Sequence, residues 1–124
     1  MPPDVHAPTH LVHGSLAEQH AARYLQSQGL KVLQHNYRCR HGEIDLVLQD
    51  ATGTLVFAEV RLRRRNDFGG AAASINPAKQ RKLILAAHHY LARLDHVPAC
   101  RFDAVLLSDL DGSPPQWIRN AFTA

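Results

Sequence analysis

Residues 43–61 read EIDLVLQDATGTLVFAEVR, and this stretch decides the fold. Apolar and polar residues alternate from Glu43 to Asp50, and the part from Thr54 to Arg61 is rich in β-branched and aromatic residues. Both parts therefore predict β-strands. Three residues join them, and the last, Gly53, suits the left-handed position of a three-residue hairpin loop. Such a loop pairs Asp50 with Thr54.

Counting back from that pair, Asp45 lies opposite Glu59. Two opposed carboxylates on one sheet face repel each other, so a stable hairpin needs a cation between them. Glu59 also follows a run, residues 55–58, that is apolar on both faces, as in a strand covered on both sides, where an unpartnered carboxylate is costly. Glu43 is two residues before Asp45 and should share its face. The pattern predicts a site for Mg²⁺ or Mn²⁺ with oxygen ligands.

A second interpretation is that the acidic residues only mark the solvent face of the hairpin. A register shift of one residue would place Asp45 and Glu59 on opposite sides of the sheet. The apolar run before Glu59 favours the metal site.

Length and composition indicate one ordinary domain. The chain has 124 residues, of which 45% are hydrophobic, enough for one core. It contains no apolar run of membrane-spanning length and no secretory leader, so we expect a soluble cytoplasmic protein without a membrane partner. Cys39 and Cys100 are far apart in sequence, and we expect both to be reduced thiols.

Basic residues cluster near the acidic pair although the net charge is only +3. Such clusters attract phosphate, so the pattern favours a nucleic-acid partner, most simply DNA. The candidate contacts are Arg38, Arg40, Arg63, Arg64, Arg65, Lys79 and Lys82.

The remaining elements follow from periodicity and stop signals. Residues 1–13 predict a flexible N-terminal tail before a domain of residues 14–124. Ser15 suits an N-cap and Gly29 a helix stop. The predicted elements are a helix from Leu16 to Gln28, strands Leu30 to Arg38 and Arg101 to Ser108, a loop from Asn66 to Ala73, a helix from Asn76 and Pro77 to about Asp95, a turn at residues 111–115, and a last strand, Gln116 to Phe122. This order predicts a mixed sheet with helices on its faces.

With Gly42-Glu43-Ile44-Asp45 on one strand and Glu59-Val60-Arg61 on the next, the chain resembles the YraN family of bacterial proteins, which is placed in the PD-(D/E)XK nuclease superfamily. The resemblance covers residues 14–122. It implies an α/β fold of the three-layer restriction-endonuclease-like type, an αβββαβ core with a mixed sheet flanked by helices. It also implies an endonuclease-like, metal-dependent hydrolysis of phosphodiester bonds in DNA, with branched or single-stranded intermediates as the candidate substrates.

The resemblance implies a role for individual residues. Asp45 and Glu59 would hold Mg²⁺ together with the carbonyl of Val60. The superfamily has a lysine where this chain has Arg61, and arginine stays charged and cannot act as a base. Lys79, at the start of the second helix, is the candidate for the missing amine, with a surface lysine of no special role as the alternative.

Glu18 has two interpretations. In related nucleases a glutamate of the first helix reaches the metal. Ser15 and Glu18 also match the capping box, in which the glutamate bonds the first amide of the helix, and capping is slightly favoured.

Two rival functions remain open. One is a catalytically inactive nucleic-acid-binding module of the same fold, and the other is a protein-interaction domain whose acidic face meets a partner. Because Holliday-junction resolvases of the superfamily act as dimers, a homodimer also remains open.

Overall fold

In the part of the chain that the structure describes, five strands form one mixed sheet in their order along the sequence. The structure, a computed structural model, describes residues 9–62, 75–108 and 114–124, with side chains from Leu16 onward. Neighbouring strands are antiparallel except for β3 and β4, which are parallel. The elements are α1 (Thr9–Ser27), β1 (Lys31–Cys39), β2 (Gly42–Gln49), β3 (Leu55–Leu62), α2 (Pro77–Leu91), β4 (Cys100–Leu107) and β5 (Gln116–Phe122).

The two helices cover opposite faces of the sheet. On one face, Ala21 and Leu25 of α1 pack with strand residues that include Leu46, Leu48 and Val56. On the other face, the buried residues of α2 pack with strand residues of a second cluster; the members include Leu83, Ala87, Tyr90, Ile44, Phe57 and Phe102. The order αβββαβ, extended by β5, and the three layers confirm the predicted α/β architecture, which is consistent with a restriction-endonuclease-like fold.

The hairpin forms in the predicted register. Gly53 has a φ of +91°, and the amide of Asp50 donates to the carbonyl of Thr54 at 3.0 Å. The paired positions run from Gln49 with Leu55 to Leu46 with Ala58. The same count brings Asp45 opposite Glu59, just beyond the last pair.

Helix α1 ends where the sequence predicts and begins earlier. Its end is a Schellman motif, in which the amide of Leu30 donates to the carbonyl of Leu25 at 3.1 Å and Gly29 has a φ of +96°. Its beginning is Thr9, which follows Pro8 in the sequence. Ser15 therefore lies within the helix, and the prediction that it caps the N-terminus is wrong.

Helix α2 begins as predicted and ends sooner. The side chain of Asn76 accepts the amide of Lys79 at 2.8 Å, with Pro77 at the first position. The helix ends at Leu91 rather than near Asp95, because the amides of Arg93 and Leu94 bond only three residues back, to Tyr90 and Leu91. Leu94, beyond the helix end, is 37% exposed.

Several predictions fall on residues 1–8, 63–74 and 109–113, outside the described residues. They concern most of the tail, the arginines of residues 63–65, the loop from Asn66 to Ala73 and most of the turn at 111–115. The division into a tail and a domain stays a prediction.

A buried carboxylate ties β4 and β5 to the hairpin loop. Asp103 is fully buried and accepts hydrogen bonds from Arg101 Nε at 3.1 Å, the Trp117 indole at 2.9 Å and the Asn120 amide at 3.0 Å. Arg101 also donates to Asp50 at 3.0 Å. The ion pair between Arg101 and Asp103 therefore has a structural role, because it leaves neither charge unpaired in the core.

We expect Asp103→Asn to destabilise the fold by about 3 kcal/mol, because the substitution leaves Arg101 partly buried with one carboxylate fewer. Urea unfolding at neutral pH measures this change. The matched control is Asp95→Asn at an exposed position, for which we expect a change within about 0.5 kcal/mol. Equal unfolding midpoints for the two variants would contradict the role of the network.

Candidate active site

The carboxyl groups of Asp45 and Glu59 lie side by side where β2 and β3 stop pairing. Glu59 is only 5% exposed and Asp45 is half-buried. The two groups are close enough to share a hydrogen bond. Asp45 Oδ2 also accepts the amide of Val60 at 2.8 Å, which holds that carboxyl against β3. The structure thus brings together the two residues that the sequence pairs.

Burial makes both carboxyl groups of this pair bind a proton more tightly. Burial, reinforced by the charge of Asp45, raises the pKa of Glu59 to about 7. Burial also raises the pKa of Asp45, against the bond from Val60 and the charge of Lys79. Near neutral pH the pair can hold a proton where a cation would otherwise neutralise it.

One oxygen of Glu59 faces two cations. Its Oε1 lies 3.3 Å from Arg61 Nε and 3.6 Å from Lys79 Nζ. The contact with Arg61 is ionic without hydrogen-bond geometry, since Nε makes no hydrogen bond within the described residues. These cations offset part of the cost of burying the carboxylate.

The other oxygen, Glu59 Oε2, is the observation that fits a metal. With the carboxyl groups ionised, this buried atom has no hydrogen-bond donor among the described residues. The contact between the carboxyl groups of Glu59 and Asp45 is a hydrogen bond only when one of the two groups carries a proton. A buried, unpartnered oxygen beside a second carboxylate is the ligand type that Mg²⁺ and Mn²⁺ take.

Lys79 extends from α2 into the site. It lies in the first turn of the helix, where a cation opposes the helix dipole. Its side chain is only 29% exposed and its Nζ approaches Glu59. The structure therefore brings the amine to the acidic pair from the second helix.

Glu18 reaches the site from α1 instead of capping that helix. It is 8% exposed, and its Oε1 has no hydrogen-bond partner in the part of the chain that the structure describes. Burial, followed by the nearby charge of Asp45, raises the pKa of Glu18 to about 7, and a hydrogen bond with Asn36 acts in the opposite direction. The favoured capping interpretation is wrong because the helix begins two turns earlier, at Thr9. Glu18 faces Asp45 from the other layer.

Asn36 is a site residue that the sequence analysis missed. It lies in β1 between His35, which pairs with Leu46, and Tyr37, which pairs with Ile44. Its position in the register is therefore opposite Asp45 of β2. Its φ is +50°, a left-handed conformation that asparagine adopts more readily than most residues. The only signal was an asparagine within a strand pattern, where it is disfavoured.

Glu43 does not join the acidic pair. Its side chain is 49% exposed and pairs with Arg38 at 3.2 Å, although its charge contributes to the raised pKa of Asp45. Among residues 16–62, 75–108 and 114–124, no three His, Cys, Asp or Glu side chains form a group that could hold a metal. A metal centre here would rest on Asp45, Glu59, the predicted carbonyl of Val60 and water.

Three of the predicted nucleic-acid contacts lie together at the turn between β1 and β2. Arg38, Arg40 and Lys82 line an open pocket of about 490 Å³ at the turn between β1 and β2, together with His41 and Glu43. Arg63, Arg64 and Arg65 lie outside the described residues. The structure thus groups cations from the β1–β2 hairpin and from α2 around one pocket, and Lys82 lies one helical turn from Lys79.

Two expectations from composition can also be compared with the structure. Cys39 and Cys100 are free thiols, as predicted. No helix in the described part of the chain is long and apolar enough to cross a membrane.

Comparisons with known proteins identify relatives of similar length. The model of the family described as "Uncharacterised protein family UPF0102" matches residues 17–107. A UPF0102 protein of Ralstonia pickettii (strain 12J) is 52% identical over 124 residues, covering 95% of this chain and 97% of that protein. A UPF0102 protein of Nitrosomonas eutropha is 59% identical over 109 residues, covering 88% and 91%. The chain therefore belongs to the uncharacterised family UPF0102, which confirms the resemblance to the YraN family.

Proposed function

We propose that the protein is a metal-dependent nuclease that hydrolyses phosphodiester bonds in DNA, with Mg²⁺ or Mn²⁺ held by Asp45 and Glu59. The observation that carries the proposal is the buried Glu59 Oε2, which has no donor among the described residues and lies beside a second carboxyl group. Membership of the PD-(D/E)XK superfamily would account for the same arrangement and belongs to the proposal.

Each residue of the site would have a separate role. Asp45 is oriented by the amide of Val60 and holds the ion together with Glu59. When bound, the ion lowers the pKa of a coordinated water and counters the charge of the scissile phosphate. Glu18, buried on the α1 side, would accept a hydrogen bond from a water of that ion.

Arg61 and Lys79 would have different roles. Arg61 stays charged at any working pH, so it can stabilise negative charge on the phosphate but cannot accept a proton. Lys79 is the amine that lies against Glu59, 3.6 Å away, and it can hold or release a proton at Nζ. The amine of Lys79 would thus serve in place of the lysine that Arg61 replaces.

The second candidate function is a nucleic-acid-binding module without cleavage. The observation that favours it is that Arg61 and Lys79 already neutralise Glu59, so the fold tolerates the buried carboxylate without an ion. Such a protein would bind DNA with strong salt dependence and yield no product.

Calorimetric titration with Mn²⁺ tests the metal site. We expect wild type to bind one ion. Asp45→Asn should bind it roughly tenfold more weakly, because the variant loses a charged ligand. Glu43→Gln is the matched control, since it removes a nearby carboxylate that is paired with Arg38, and its affinity should stay close to wild type.

The affinity should also depend on pH with a defined sign. Because the pKa of Glu59 is raised to about 7, the ion must displace a proton at lower pH. We expect affinity to rise by up to about tenfold per pH unit below about pH 7 and to level off above it. Equal binding by wild type and Asp45→Asn, or affinity independent of pH from 5 to 8, would contradict the site.

Cleavage assays test the reaction itself. With Mn²⁺ and a panel of labelled single-stranded, duplex and branched DNA and RNA, we expect a product from DNA that disappears in Asp45→Asn. We expect Lys79→Gln to lower the rate by roughly 100-fold, as for a lost proton carrier, and Arg61→Lys to keep it within about tenfold.

The outcome of the same panel separates the two candidate functions. If wild type gives no product from any substrate but still binds DNA, the binding module is correct. If Lys79→Gln cleaves as fast as wild type, the amine has no part in the reaction.

A further inference from the structure

A row of basic and imidazole side chains runs along one face of α2, starting at the acidic pair. Lys79, Lys82 and His89 of α2, and Arg93 just beyond its end, are separated by three, seven and four residues. Within a helix such spacings place side chains on the same side. Between Lys79 and His89 the row covers about 15 Å of helix axis. We call these four residues and the neighbouring turn residues Arg40 and His41 the α2 strip.

The near end of the α2 strip adjoins the candidate active site. Lys79 contacts Glu59, and Lys82 lines the open pocket at the β1–β2 turn with Arg40 and His41. The turn packs closely on the helix here, since a Cβ added to Gly42 would lie 3.3 Å from both the Cβ and the carbonyl oxygen of Lys82. Lys82 and the turn are therefore held together as two walls of one groove.

The far end of the strip is held by buried tyrosines. His89 Nδ1 hydrogen-bonds the hydroxyl of Tyr37, which is buried on β1. The ring of His41 lies 6.5 Å from that of His89. The guanidinium of Arg93 lies 5.6 Å from the ring centres of both Tyr37 and Tyr90, an attractive cation–π arrangement. Two imidazole rings and a guanidinium plane are thus positioned along the groove.

The described residues that line the groove carry mainly positive charge. The acidic residue that lines the pocket, Glu43, is already paired with Arg38. A phosphate backbone would therefore meet Lys82 and Arg40 without facing an unpaired carboxylate in the pocket.

We infer that the α2 strip binds one strand of single-stranded nucleic acid, leading its phosphates along α2 to the acidic pair. A basic groove with flat rings beside it is the arrangement that binds unpaired strands, with rings and guanidinium planes as stacking surfaces for bases. A duplex presents two phosphate rows across a groove, whereas the α2 strip is one row between a helix and a turn. The inference rests on the proposed function for its choice of nucleic acid and adds the form of the substrate and its path.

Fluorescence anisotropy in EDTA tests the strip independently of cleavage. The probes are a labelled DNA single strand and the same sequence as a blunt duplex, each titrated over a range of salt. We expect tighter binding of the single strand. Lys82→Gln and Arg40→Gln should each weaken it roughly 5- to 10-fold and lower the slope of log affinity against log salt by about 0.7.

Two matched controls lie away from the strip. Lys31→Gln is at the other end of β1, paired with Gln49, and Arg119→Gln is exposed on the edge strand β5. We expect both to stay within about twofold of wild type. His89→Gln should weaken single-strand binding with a smaller change in salt slope, because the variant loses a ring on which a base can stack.

Three results would overturn the inference. They are an equal loss of single-strand affinity in Lys31→Gln and Lys82→Gln, duplex binding as tight as single-strand binding, or no binding of nucleic acid at low salt. Failure of the proposed nuclease function looks different, because a protein that binds through the strip and does not cleave shows all the expected changes in EDTA.

Discussion

Two carboxyl groups buried side by side, those of Asp45 and Glu59, are the constraint around which the site is built. Charges placed so close together inside a protein are stable only with a proton, cations or a metal between them. This structure favours a bound proton and also supplies cations. Burial raises the pKa of Glu59 to about 7, and Arg61 and Lys79 flank its Oε1. One oxygen still lacks a donor among the described residues, so the arrangement suits an ion better than it suits a closed salt bridge.

The scaffold explains how the chain brings these groups together. Strands β2 and β3 pair as far as Leu46 and Ala58 and then stop, and the carboxyl of Asp45 takes up the free amide of Val60. Each helix layer adds one side chain to the same place, Glu18 from α1 and Lys79 from α2. The position of Lys79 in the first helical turn, unfavourable for the helix alone, is understandable once Glu59 is its partner.

The sequence predicts the parts of this arrangement that depend on neighbours along the chain. The three-residue loop with Gly53 sets the hairpin register, and the apolar run before Glu59 indicates that the carboxylate is buried. The role of Glu18 was harder to predict, because a capping motif competes with burial and the choice depends on where α1 begins. Asn36 is not recognised from the sequence, since its one mark there is an asparagine within a strand pattern, which does not reveal a left-handed backbone or a place in the site. Lys79 was recognised through the family resemblance more than through its local pattern.

In the proposed nuclease, a divalent ion replaces the proton that Asp45 and Glu59 can share. Anomalous diffraction from a crystal soaked in Mn²⁺ above pH 7 tests it most directly, because the signal locates the ion itself. We predict one strong peak in contact with both carboxyl groups, with Oε2 of Glu59 among the ligands. A protein that leaves this position without a peak while the two carboxyl groups remain in hydrogen-bonding contact would contradict it.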